Sequence, residues 1–269
     1  MAEQKPKVAK FDGDEWEFVF PASIEKTYEE YFEGVELLGE NDAAAEKIFK
    51  KLIQKHPYHI DAYNHLSLAF KNQKKLFESF LTAEKAYLLG KLCLPKEFKM
   101  GKSKLPWGIL DNRPFLRSCQ ILGMEYQDKK QYQEAIYYYT EALDCNEDDN
   151  QGLRYLILRC WFAMKKYDAA ARLLKKYHDD WGMDFIYGRL LLAIINGEEK
   201  KIKPLFHDAL EYNKYVPAEI LKDKHTPPIA FCDLDGFSLG SEEEAYDYWI
   251  NNKVFLSDPQ IKAFFAKIK

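Results

Sequence analysis

The chain lacks a long apolar run. Leu190-Leu191-Leu192-Ala193-Ile194-Ile195 is only six residues, where a membrane-spanning helix needs about 20, so no membrane partner is expected. The opening MAEQKPKVAKFDGDEWEF has neither the apolar stretch of a secretory signal nor the make-up of a transit peptide. Cysteine is scarce. The five (Cys93, Cys119, Cys145, Cys160 and Cys232) are odd in number and scattered, with no Cys-x-x-Cys. That argues against a disulfide framework and predicts buried free thiols in a reducing compartment, so the cytoplasm is the expected location. Charge of one sign is not in excess either: 39 Lys and Arg stand against 43 Asp and Glu, for a net charge of -4. No general footprint for nucleic acid results. The glycines are isolated, so no phosphate-cradling loop exists. No Ser-His-Asp or Cys-His arrangement has local support, and no cofactor is expected.

What is present is helical periodicity. The 269 residues are 47% apolar and 15% aromatic, enough for one large domain or a repeat array. The stretch Phe115 to Asn146 is the clearest unit. Leu116, Ile121, Leu122 and Tyr126 recur at helical spacing, then Gln127-Asp128-Lys129-Lys130 forms a polar turn, then Tyr132, Ala135, Ile136, Tyr139, Ala142 and Leu143 form a second stripe. Small residues (Gly123, Ala135, Ala142) alternate with large ones, as two closely packed antiparallel helices require. The spacing Leu-Gly-x-x-Tyr, then Tyr-x-x-Ala-x-x-x-Tyr-x-x-Ala, resembles the tetratricopeptide repeat.

Looser copies surround it. Residues 1–22 are an extension, in which Trp16, Phe18 and Phe20 alternate as in one short extended segment laid on the first helices. Ser23 is expected to start the first helix, with Tyr28, Tyr31, Phe32, Val35 and Leu38 as its inner stripe. Ala45, Ile48, Phe49, Leu52 and Ile53 line the second helix, which Pro57 ends. From Ala45 to Ser79 the step is 34, the length of the repeat; from Ser79 to Ala135 it is 56. About 22 residues are therefore inserted, near 90–112, and Leu94, Phe98, Leu105, Trp107 and Ile109 indicate that much of the insertion packs. A fourth pair follows Asn150, and a degenerate fifth follows Met183, with Pro204 expected early in its second helix. In the tail, Val216-Pro217 and Thr226-Pro227-Pro228 break the pattern. Ser241-Glu242-Glu243-Glu244 reads as a capping box, and the tail is expected to cap the last repeat.

Longer strings narrow the resemblance. Trp107-Gly108 with Arg113-Pro114-Phe115-Leu116-Arg117, Asp149 to Leu156, Asp180-Trp181 with Tyr187-Gly188, and Asn213 to Pro217 with Ser241 to Ala245 are similar to bacterial tetratricopeptide proteins of the suppression-of-tumorigenicity-7-like group. It covers roughly residues 100–250 and implies a fold and a binding role, but no chemistry. The chain departs from the group's usual Asn-Pro at Asn146-Glu147 and in the sequence after Val216-Pro217.

Candidate chemistry is sparse. Phe231-Cys232-Asp233-Leu234-Asp235-Gly236 resembles the nucleophile strand of haloacid-dehalogenase-type phosphatases. However, Phe237 replaces the following Thr, and only 33 residues remain for the sheet such enzymes need; a turn is expected instead. His56 and His59 lack a third metal ligand and are expected near the negative end of a helix dipole. The inner faces of the first helices of each pair are the best candidate. Asn64, His65, Arg117, Gln120, Gln151, Arg154 and Tyr155 would line a polar, locally basic groove in which Arg captures a carboxylate. The chain lacks the Lys and Asn clamp of chaperone-binding members, so a chaperone adaptor is not expected. Alternatively, Arg113, Arg154 and Trp181 tie the insertion to the array through buried hydrogen bonds with Asp149 or Asp180.

The sequence thus predicts an all-α, tetratricopeptide-like right-handed superhelix (a solenoid) of about five helix pairs. The expected divisions are an extension (1–22), a repeat domain (23–213) and a C-terminal cap (214–269). The expected function is a non-catalytic scaffold that binds a protein partner, as an extended peptide or acidic segment, in its concave groove. A second reading is an enzyme or metal-dependent accessory with a site formed by the insertion and the tail. A third is a homo-oligomer whose groove holds a neighbour's tail.

Overall fold

The computed structural model describes residues 5–229 and 238–268. The chain divides into two compact units, Met1–Leu153 and Arg154–Lys269. The motif at 231–236 lies outside the described residues.

The first unit opens with strands β1 (Lys7–Asp12) and β2 (Glu15–Val19), paired antiparallel. Helices α1 (Ala22–Glu25), α2 (Tyr28–Glu36), α3 (Asp42–Lys55), α4 (Ile60–Asn72) and α5 (Leu76–Cys93) follow. After the insertion and a short 3-10 turn (Leu110–Asn112) come α6 (Arg113–Asp128) and α7 (Tyr132–Cys145). Helices α2 and α3, α4 and α5, and α6 and α7 are antiparallel neighbours. The close approach is set by small residues. Ala45, Ser79 and Ala135, at the start of the second helix of each pair, are all 0% exposed. A Cβ on Gly123 would sit 2.4 Å from the Tyr139 ring, and one on Gly90 2.2 Å from Phe115.

Three expectations are corrected here. The extended segment has a partner strand, which the Asp12-Gly13 turn signals; Gly13 takes φ +45° there. The first helix starts at Ala22, not Ser23, and breaks at Lys26–Thr27, where the Thr27 hydroxyl donates to the Ile24 carbonyl at 2.6 Å. Phe32, assigned to the inner stripe, is 57% exposed.

The insertion is ordered against the hairpin. Trp16 N–H donates to the Lys104 carbonyl and Lys104 N–H to that of Asp14, both at 2.8 Å. Buried Asn112 accepts from Phe18 N–H at 2.9 Å and donates to the Trp16 carbonyl at 3.0 Å. One buried amide thus satisfies two backbone groups of β2 and fixes the hairpin to the start of α6.

The second unit contains α8 (Leu153–Ala163), α9 (Tyr167–Lys176), α10 (Met183–Asn196), α11 (Glu199–Tyr212), α12 (Val216–Ile220), α13 (Glu242–Leu256) and α14 (Pro259–Ile268). The apolar run at 190–195 is part of its central helix. Phe185, Tyr187, Leu190 and Leu191 of α10 are fully buried with Phe162, Leu256, Ile261 and Phe265. Ser241 caps α13 through Glu244 N–H at 3.1 Å, and Glu244 reaches back to Gly240 N–H at 2.7 Å. Val216-Pro217 starts a short helix instead of breaking one, because Pro in the first turn forfeits no helical bond. Pro204 stands sixth in α11, past the turn where a missing N–H costs nothing.

Candidate functional site

Helix α4 begins with a buried cap. His59 Nδ1 accepts from Ala62 N–H at 3.2 Å, so the ring proton sits on Nε2. That atom is buried without a hydrogen-bond partner. Burial opposes the charge here, outweighing the attraction of Asp61, and lowers the His59 pKa to about 4. The expectation for His59 is therefore corrected: it stands at the positive end of α4, as a neutral imidazole. His56 does end α3.

Asp61, in the first turn of α4, is the hub of the first unit. Its carboxylate pairs with Arg117 of α6, accepts from the Tyr31 hydroxyl at 2.8 Å, and accepts from Asn64 Nδ2 at 3.0 Å. Burial alone would raise its pKa, but the charges of His65 and Arg117 and the Arg117 and Asn64 hydrogen bonds hold it down at about 2. Asn64 is 0% exposed. It joins α4 to α6 by donating to the Pro114 carbonyl at 2.8 Å and accepting from the Ser118 hydroxyl at 2.9 Å. His65 Nδ1 lies 2.8 Å from the Asp61 carbonyl and 3.1 Å from the Tyr31 hydroxyl.

Tyr31, His59, Asp61 and Arg117 line a cavity of about 320 Å³, which Asn64 and His65 do not reach. Its walls are Phe20, Ile24, Tyr28, Phe32, Leu110 and Pro114; His59, Asp61, Asp111, Arg113 and Arg117 are its polar lining. Phe32 and Leu110 are 57% and 65% exposed at its mouth. Apolar walls with a few fixed polar groups suit a ligand that is mostly apolar and oriented by one or two hydrogen bonds.

The other predicted residues are placed differently. Gln151 donates to Gln120 Oε1 at 2.8 Å and to the Leu116 carbonyl at 3.2 Å, within the first unit. In the second unit Arg154 Nε meets Asp180 Oδ2 at 2.5 Å, and its guanidinium lies 4.4 Å over the Tyr155 ring. The Tyr155 hydroxyl is 3.1 Å from both Asp180 oxygens. Arg117 and Arg154 are thus each held by a carboxylate of their own chain. Arg113 ties the insertion to α6: Nε donates to the Trp107 carbonyl at 3.0 Å and the guanidinium stacks on the Trp107 ring at 4.9 Å. Trp181 is 71% exposed and joins no buried network, and Asp149 Oδ1 accepts from Leu153 N–H at 2.6 Å.

The sequence reading placed Tyr31 only in the inner stripe, and it missed Asp61 and the second-unit pair Arg159–Asp184, a two-bonded fork at 2.8 Å per bond. The signal was present in spacing: Arg159 follows Arg154 by five residues and Asp184 follows Asp180 by four. Among the described residues no group of three His, Cys, Asp or Glu is placed to hold a metal. Burial pushes the thiols up, Cys93 to about 11 and Cys145 and Cys160 to about 12, so they stay protonated at neutral pH. No described helix is long and apolar enough to cross a membrane.

The tetratricopeptide-repeat family model matches residues 126–180, from the end of α6 through α9. No curated protein matches the chain. Among solved structures, it is similar to the nearly identical TPR-like repeats of a Podosopora anserina protein described as a kinesin light chain. The TM-score is 0.53 at 12% identity, covering 70% of this chain and 95% of that one. It is also similar to YrrB, a TPR protein with an unusual peptide-binding site, with TM-score 0.50 at 16% identity, covering 71% of this chain and 90% of that one. At these identities the likeness is one of fold. Among the described residues the chain is all-α apart from its hairpin, and its helix pairs are those of a tetratricopeptide-like solenoid.

Proposed function

We propose that the protein is a non-catalytic interaction scaffold whose first unit seats an extended peptide of a partner protein. The observation that carries this reading is the cavity beside α4. It combines apolar walls, exposed rim residues Phe32 and Leu110, and a polar lining that includes Asp111 and Arg113. An apolar side chain of the peptide fills the walls, and the polar lining of Asp111 and Arg113 orients its backbone. A peptide is favoured over an acidic segment because Asp61 and Asp180 already neutralise Arg117 and Arg154. YrrB, similar in fold, carries a peptide-binding site, which supports the class of ligand. The narrower likeness to the suppression-of-tumorigenicity-7-like group fits the same role, and the buried free thiols fit a cytoplasmic setting.

Selection of peptides from a displayed library on the full chain tests this. The expected result is a consensus with one large apolar residue, whose binding falls about tenfold or more in Phe32→Asp without a change in melting temperature, because Phe32 is exposed. Selected peptides that bind Phe32→Asp as well as the parent would overturn the reading.

A further inference from the structure

The cavity beside α4 has an acidic side that the fold leaves unbalanced. Asp111 lines it, half-buried in the 3-10 turn ahead of α6. Among the described residues its carboxylate accepts no hydrogen bond and forms no ion pair. Arg113, two residues on, is turned to Trp107, donating to its carbonyl and stacking on its ring. Arg117 is held by Asp61. What stands near Asp111 is more acid: Glu25 of α1 and Glu17 of β2. Burial first, then these two carboxylates, push the Asp111 carboxyl above its ordinary range. The Tyr28 hydroxyl, on the same wall, feels the same field. Burial raises its pKa first, then Asp111, Glu25 and Asp61.

A carboxylate in this position works against folding, because burial and both neighbours oppose its charge. A charge that the fold itself opposes, set in the wall of a cleft, points to a site and not to packing. The aromatic wall suits the opposite charge. Tyr28 and Phe32 are 38% and 57% exposed, with their rings 6.4 Å apart and inclined at 60°. A cation is drawn to aromatic faces of this kind.

We infer, on the reading that this cavity seats a peptide, that the peptide carries a Lys or Arg beside its apolar anchor. The anchor fills the walls. The aliphatic stem of the basic residue crosses the apolar rim, and its charged head rests on the Tyr28 ring and pairs with Asp111 and Glu25. An acidic segment is repelled from the same mouth. Since the counter-charge comes from the partner, stability and binding pull Asp111 in opposite directions.

Two displayed libraries of random peptides test this on the full chain, one containing every residue type and one without Lys and Arg. The first is expected to yield peptides with Lys or Arg next to the apolar residue, and the second to yield none of comparable affinity. Asp111→Asn weakens the selected peptides about tenfold and removes most of the loss of affinity that added salt causes in the parent. Its thermal melt lies at or above that of the parent, so the weakening is not a loss of folding. Selection repeated on Asp111→Lys brings Asp or Glu to the same position of the peptide. Peptides that depend on Phe32 but lack a basic residue, or that bind Asp111→Asn as tightly as the parent, overturn this inference and leave the peptide-binding reading standing. If neither library yields a peptide that depends on Phe32, both are overturned.

Discussion

Lys130 occupies a backbone conformation that residues with a Cβ avoid. Its φ is +58°, and Lys74 and Lys165 have φ of +61° and +55°. All three lie in the turn between the helices of a pair, each five residues before the small residue that opens the second helix. Gly39, six residues before Ala45, takes φ +83° in the turn between α2 and α3. At these turns the backbone enters the left-handed region whether the residue is Lys or Gly. The cost to an L-residue is about 1 kcal/mol, partly offset by the extra chain entropy that Gly loses on folding. Lys130→Gly is expected to stabilise the protein by about 0.5 kcal/mol, read as a rise in urea midpoint with unchanged slope. Gly39→Ala should move the midpoint down. The turn at Gln127–Lys130 was legible from its polarity, but the left-handed conformation at the lysines lies in the geometry and leaves no mark on residue type.

The elements were legible wherever packing imposes a period. Ala45, Ser79 and Ala135 open the second helices because helices crossing at that point leave no room for more, and the same constraint leaves Gly123 bare. A Cβ there would gain about 1 kcal/mol of helix propensity. It would also meet Tyr139, which is fully buried and donates to Gln127 at 2.9 Å, so the ring cannot retreat. Overpacking costs about 1–3 kcal/mol and wins: Gly123→Ala should lower the melting temperature. Elements held by hydrogen bonds between distant segments were not legible. β1 exists through its pairing with β2, and the break at Lys26–Thr27 through a single hydroxyl. The candidate site suffered most from this. Periodicity found Asn64, His65 and Arg117 on facing helices but did not reveal that Asp61 sits among them, because a charged residue in a first helical turn is ordinary. Removing either member of the half-buried Asp61–Arg117 pair leaves the other charge without its partner and should cost about 2 kcal/mol. Asp61→Ala with Arg117→Ala should cost clearly less than the two added together. Additive losses in chemical denaturation would show that the pair does not couple α4 to α6.

Across the whole molecule the two units differ in how they meet acid. The imidazoles that burial holds down, His59 and His65, both belong to the first unit. For His59 the folded pKa of about 4 lies below the usual unfolded value of about 6.5. Between those values the unfolded chain binds a proton that the folded chain refuses, so stability is complete above pH 6.5 and is lost as the pH falls toward 4. The full loss from this one residue is about 3 kcal/mol. Asp61, held at about 2, adds its share only below the ordinary carboxylate range. Hydrogen exchange read by mass spectrometry, with rates corrected for intrinsic chemistry, resolves the units in one experiment. Protection in α4 and α6 should fall between pH 7 and pH 5, while that of α10, the core helix of the second unit, holds. His59→Asn separates the imidazole from its position. The Asn oxygen can still cap α4 but takes no proton, so α4 and α6 in that variant should lose most of their pH dependence in this window. Equal loss of protection in α10, or an unchanged slope in His59→Asn, would mean that the acid response does not originate at the floor of the cavity. His59 would then have no part in setting the pH at which α4 and α6 hold together.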